Sequence, residues 1–255
     1  MALLETRNLR KTFGGVMAVN DITLDLEEGG ILGVIGPNGS GKSTFINLLT
    51  GIYRPDHGTI YFAGKDITGL PPHLVTRQGI ARTFQNLRVF SNVSVLVNIM
   101  IGQHAQLKNR LHHLFLTPLA ARKRERAAEE KARDILKMAN LAGRCDELAK
   151  SLPYGEQRLL EICRALASNP RLLMLDEPCA GMNPKEMDTL ADFIRELRST
   201  GHTIFIVEHN MPFIMSLADR IVVLDAGSKF KEGLPAEIQS DPEVQDIYLG
   251  KEDDI

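Results

Sequence analysis

The 255-residue sequence predicts an α/β fold with a mostly parallel core sheet, an N-terminal antiparallel β layer and a helical subdomain. Three observations predict it. Short β-rich runs separated by glycine fill the first 65 residues; three largely apolar runs, Ile31–Ile35, 172–175 and Thr203–Val207, each lead into a loop of polar side chains; and a long stretch of helical periodicity divides the first of these runs from the others.

Residues 3–13, 18–26 and 59–63 alternate or are β-rich, and Gly14-Gly15, Glu28-Gly29-Gly30 and Gly64-Lys65 punctuate them, which gives the antiparallel layer. The three apolar runs read as buried parallel strands, and ligands of open α/β sheets gather at the carboxyl ends of such strands. Residues 89–107 carry no charge and approach the roughly 20 residues of a spanning helix. Ser91, Asn92, Ser94, Asn98, Gln103, His104 and Gln106 would be costly in lipid, so a partly buried helix starting near Ser94 is expected instead. Further on, Ala128, Ala132, Ile135, Ala139 and Ala142 recur at helical spacing beside Glu129, Glu130, Lys131 and Arg133. The basic run Arg122-Lys123-Arg124-Glu125-Arg126 reads as a solvated helix face. From Asp225 the chain is expected to turn at Gly227, form a strand around 229–231 and end in one helix from Pro235 to near Leu249.

An apolar content of 44% suffices for a real core. Thirty basic against 32 acidic residues leave a net charge of -2, with no general pull toward nucleic acid or anionic lipid. Cys145, Cys163 and Cys179 lie far apart without zinc or disulfide spacing, which fits a reducing, cytoplasmic setting. The first fifteen residues mix acid and base and lack the apolar core of a signal peptide.

The strongest local signal follows the first apolar run. Gly36-Pro37-Asn38-Gly39-Ser40-Gly41-Lys42-Ser43-Thr44 satisfies GxxxxGK[ST], a P-loop between strand and helix. Glycines at 36, 39 and 41 let the backbone curl so that successive N–H groups face inward, and the positive end of the helix near Lys42 adds to an anion site. Lys42 is placed to bridge the β- and γ-phosphates of ATP, Ser43 to ligate Mg²⁺ and Thr44 to lie near the α-phosphate. The second signal is the run ending in Asp176-Glu177. Asp176 is expected to hold Mg²⁺ through water, and Glu177 to orient and polarise the attacking water.

A P-loop alone leaves the function open. The remaining motifs resemble, in order and along the whole chain, the ATP-binding cassette family. Gln85 in Arg82-Thr83-Phe84-Gln85-Asn86 matches the Q-loop, and Leu152-Pro153-Tyr154-Gly155-Glu156-Gln157 the signature motif. Ala180-Gly181-Met182-Asn183 matches the D-loop, His209 the switch histidine and Phe13 the aromatic that stacks on adenine. The resemblance implies catalytic roles for Glu177, His209 and Gln85, with Gln85 also reaching the metal. It implies that Tyr154, Gly155, Glu156 and Gln157 act on ATP bound to a second subunit. It further implies a single cassette over 1–255, with a catalytic core at 1–93 and 165–255 and a helical subdomain at 94–164.

The runs 79–85, 152–157, 180–184 and 246–250 are similar to those of the ATP-binding subunits of branched-chain amino acid importers. They are shared with urea and other importers of that branch and, more loosely, with lipopolysaccharide-export ATPases, so the resemblance implies import of branched-chain or other hydrophobic amino acids. That resemblance implies two membrane permease subunits, an identical or related ATPase partner, an indirect link to an extracytoplasmic solute-binding protein, and a place on the inner face of the membrane. No nucleic acid is expected. The alternative is a cytosolic cassette acting on nucleic acid or ribosomes, against which the short separation of Lys42 and Asp176 argues, since it leaves no room for long coiled coils. One departure stands out: Pro153 occupies the place of the usual signature serine.

Overall fold

A computed structural model describes residues 2–103 and 118–249, without the side chains of 118–124 and 249. Two β layers form from the runs expected. Strands β1 (Ala2–Phe13), β2 (Val16–Glu27), β4 (His57–Phe62) and β5 (Lys65–Asp66) make an antiparallel sheet in the order β2-β1-β4-β5. The second sheet comprises β3 (Ile31–Ile35), β6 (Ile80–Arg82), β7 (Leu172–Asp176), β8 (Thr203–Val207), β9 (Arg220–Asp225) and β10 (Ser228–Gly233) in the order β10-β9-β3-β8-β7-β6. Five of its strands are parallel and β10 alone runs antiparallel to β9, so β6 and β9 join the three parallel strands that the sequence announces.

Residues of β3, β7 and β8 are buried throughout, as strands covered on both faces must be. Alternate side chains feed two cores. Leu32, Val34, Met174, Phe205 and Val207 pack against the antiparallel layer and helix α1 (Lys42–Leu49), whereas Ile31, Ile35, Leu173, Leu175, Ile204 and Ile206 face the helical side. At about 25 cal/mol per Å² of apolar surface removed from water, this two-sided burial is what holds the layers together.

Helix α2 (Pro72–Gln78) precedes β6. The helical insert opens with α3 (Val95–Gly102), whose N-cap Ser94 accepts a hydrogen bond from the Val97 N–H, and continues through α4 (Pro118–Met138). His104 and Gln106, and the side chains of Arg122, Lys123 and Arg124, lie outside the described residues. Ala132, Ile135 and Ala139 are buried, but α4 ends at Met138 and Ala142 is exposed in a 3₁₀ turn, so the expected helical spacing overruns the helix. Ser94 bridges Leu148, closing the insert at its base. Helix α5 (Tyr154–Leu166) starts at the signature motif, which places Gly155 inside its first turn.

Helices α6 (Pro184–Ser199) and α7 (Met211–Met215) follow β7 and β8. The single C-terminal helix expected is two, α8 (Pro235–Ser240) and α9 (Pro242–Leu249). Pro242 cannot continue a helix from α8, and the Asp241 carboxylate takes the freed Glu243 and Val244 N–H groups. Among the described residues no helix is long and apolar enough to cross a membrane.

Candidate active site at the carboxyl edge of the sheet

Four neighbouring parallel strands deliver the site. Strand β3 ends in the phosphate loop, β8 in His209, β7 in Asp176-Glu177 and β6 in the loop that carries Gln85. All four loops therefore emerge at one edge of one sheet.

Two glycines of the phosphate loop have no substitute. A Cβ at Gly36 (φ 152°) would stand 2.2 Å from the Leu224 carbonyl, and one at Gly41 (φ 96°) 2.3 Å from the Ala18 carbonyl. Gly41 caps α1 in a left-handed conformation, so the helix N-terminus opens directly under the loop. Asn38 and Gly39 are exposed, Ser40 is buried with its hydroxyl unpaired, Ser43 is exposed and Thr44 half-buried. Lys42 folds back to donate to the Gly36 carbonyl at 2.7 Å and the Pro37 carbonyl at 2.8 Å. Burial lowers its pKa, and the charges of Glu177 and Asp176 oppose that fall.

The Glu177 backbone is left-handed at φ 46°, a conformation that costs a side-chain-bearing residue on the order of 1–2 kcal/mol. Its N–H is held by the Val207 carbonyl at 2.8 Å. The Gln85 Nε2 donates to Glu177 Oε2 at 2.9 Å, and His209 Nδ1 lies 3.9 Å from the same oxygen. Asp176 Oδ2 accepts from Arg82 at 2.8 Å, and Arg82 also donates to Asn47 and Thr50. Asp176, Glu177, Gln85 and His209 are thus brought together beside Lys42.

The signature residues are not joined to this cluster. Tyr154 donates from its hydroxyl to the Ala180 carbonyl at 3.0 Å, Glu156 pairs with Arg144 at 3.1 Å, and the Gln157 amide donates to the Leu152 carbonyl. The Gly155 N–H is turned to the Glu186 carboxylate at 3.2 Å. Phe13 stands exposed at the end of β1, edge-on to Tyr53 with ring centroids 5.1 Å apart.

Four contributors escape sequence reasoning. Arg82 and Glu186 are the first two. Glu208 is fully buried and accepts from the Cys179, His209 and Asn210 N–H groups, tying the β7 and β8 loops together. Arg158 reaches three carbonyls of the site loops. Cys179 donates its thiol to Glu208, and burial pushes that thiol up, as it does Cys163. Tyr248 of α9 packs against the core on the helical side, and burial pushes its phenol up to about 12.

Fold and site together define an ATP-binding cassette that hydrolyses ATP. The chain belongs to the ABC transporter family, whose model matches residues 19–180, and residues 232–254 match a second model, that of the branched-chain amino acid ATP-binding cassette transporter. The high-affinity branched-chain amino acid transport ATP-binding protein BraF of Pseudomonas aeruginosa is 45% identical over 98% of each chain. LivG of Escherichia coli, of the same description, is 40% identical over 98% of each. Among solved structures, the ADP conformation of MJ1267, an ATP-binding cassette of an ABC transporter, superposes with a TM-score of 0.85 at 34% identity, over 98% of this chain and 100% of that one.

Proposed function

We propose that this chain powers the import of branched-chain amino acids, working on the inner face of the membrane with a second ATP-binding subunit and two permease subunits, and indirectly with an extracytoplasmic solute-binding protein. The observation that carries the chemistry is the 2.9 Å contact of Gln85 with Glu177 at the sheet edge that holds the phosphate loop. Similarity to BraF and LivG over nearly the whole chain supports the solute.

ATP is seated by the backbone N–H groups of residues 36–44 other than Pro37 and by the N-terminus of α1, with Phe13 stacking on adenine. Lys42 leaves the Gly36 and Pro37 carbonyls for the β- and γ-phosphates, where its charge stabilises the leaving oxygen. Gln85 holds Glu177 Oε2, with His209 3.9 Å from the same oxygen, which leaves the other carboxylate oxygen to accept a hydrogen bond from the attacking water and align it on the γ-phosphorus. The exposed Ser43 hydroxyl, the Asp176 carboxylate and the Gln85 amide oxygen are the hard oxygen donors that would hold Mg²⁺, which when bound neutralises phosphate charge.

The residues of 94–164 form the subdomain that presents Tyr154, Gly155, Glu156 and Gln157 to the partner's ATP, against the core of 1–93 and 165–255. Pro153 offers neither hydroxyl nor N–H, so this signature works through backbone N–H groups and the dipole of α5. Between the two parts, Arg88, Val89, Phe90, Ile101 and Arg164 line a groove of 650 Å³ that suits a short permease helix. The reading is tested by reconstituting the chain with its permease in vesicles and measuring ATP-dependent uptake. Accumulation of leucine, isoleucine or valine is expected; ATP hydrolysis stimulated by DNA or ribosomes and not by the permease would overturn it.

A further inference from the structure

Arg158 is 1% exposed and Glu161 2%, one helical turn apart on α5 and 2.9 Å from each other. A buried ion pair is poor support for stability, because apolar residues of like volume often replace one without loss. Its partners show what else it does. Arg158 Nη1 donates to the Phe84 carbonyl at 2.8 Å; Nη2 donates to the Gln85 carbonyl at 2.8 Å and to the Glu177 carbonyl at 3.2 Å. The second Glu161 oxygen accepts the Arg88 N–H at 3.2 Å.

One pair on the signature helix therefore fastens both ends of the Gln85 loop and the strained backbone of Glu177. The Gln85–Glu177 side-chain contact spans two backbone segments that hang from the same guanidinium. The planar fork of arginine can hold the two carbonyls at fixed separation, which a lysine ammonium cannot. We propose that Arg158, neutralised by Glu161, is a positioning residue for hydrolysis: it sets the Glu177 carboxylate through the Gln85 and Glu177 backbones. Because α5 begins at the signature motif, a shift of that helix against a partner's ATP is passed to this chain's own Glu177, so the two nucleotide sites of a dimer are linked through a rigid helix. The inference rests on the catalytic reading of Glu177 given above.

The test uses the assembled transporter and the paired substitution Arg158→Met with Glu161→Met, which removes both charges together. The melting temperature and the ATP Kd should stay near wild type, since the phosphate loop is untouched. The kcat should fall on the order of 10²-fold, the scale of a one-ångström misplacement, with KM little changed. Single-turnover hydrolysis in a Glu177→Gln background supplies the readout that a structural role would not give. There the paired substitution should add no further loss, because Arg158 acts only through Glu177. If the pair does not fold, Arg158→Lys replaces it and should show the same fall in kcat at unchanged Kd. Wild-type kcat in either variant, or a loss that multiplies with that of Glu177→Gln, overturns the positioning role. Wild-type turnover in Glu177→Gln alone would instead overturn the catalytic reading on which it rests.

Discussion

Gly155 shows how one residue carries both contact and conformation. A Cβ there would lie 2.8 Å from the Glu186 carboxylate that already accepts the Gly155 N–H. Gly155→Asp would set two carboxylates against each other and a negative charge against a partner's γ-phosphate. ATPase activity at that composite site should collapse, measured with the partner's own site silenced where the complex is heteromeric; unchanged hydrolysis would show that this signature is not productive. Pro153→Ser should change activity far less, since it adds only a hydroxyl and one N–H to a site that other backbone N–H groups and the dipole of α5 are proposed to serve. Residues like Gly36, Lys42, Glu177 and Gln85 were legible because their chemistry depends on order along the chain. Glu186, Arg158, Glu208 and Arg82 were not, because each gains its role from a neighbour remote in sequence, as Arg82 does from Asp176.

Elements were legible where a period repeats long enough to be read. Strand β6 has three residues and offers no period, while β9 carries the apolar run 221–224 between Arg220 and Asp225 and could have been found by the same reading that found β3. The break between α8 and α9 makes a test with a defined sign. A side-chain hydrogen bond from Lys231 is the main cause that holds the Asp241 carboxyl below the usual carboxylate range. A depressed carboxyl stabilises the fold above its unfolded pKa and ceases to as pH falls through its folded value. Asp241→Asn should therefore lower the melting temperature at neutral pH, and the gap should close below about pH 4; a gap independent of pH would deny the ion pair any part. At the Gln85 loop, Val89 packs on the core and Phe90 is 48% exposed beside Arg164. Replacing both with Asp should abolish uptake by the assembled transporter while the isolated chain still binds ATP, and normal uptake would remove the groove as a docking site.

At the scale of the whole molecule, the chain holds two half-sites. The sheet edge gathers the phosphate loop, Glu177, Gln85 and His209, while the α5 N-terminus with Gly155 is engaged elsewhere, by Glu186. Under the proposed function, a second subunit that brings its α5 to this phosphate loop completes both halves at once. On that proposal ATP is the contact between subunits, and loss of the γ-phosphate is expected to release it. The most direct measurement is the mass of the purified Glu177→Gln variant by analytical ultracentrifugation with and without ATP, alongside its turnover. The variant should turn over at least about 10²-fold more slowly than wild type, and ATP should convert it from monomer to a stable dimer, or to a stable heterodimer when the related ATPase subunit is supplied. A variant that binds ATP, hydrolyses it at the wild-type rate and stays monomeric in the presence of either partner would contradict the composite site.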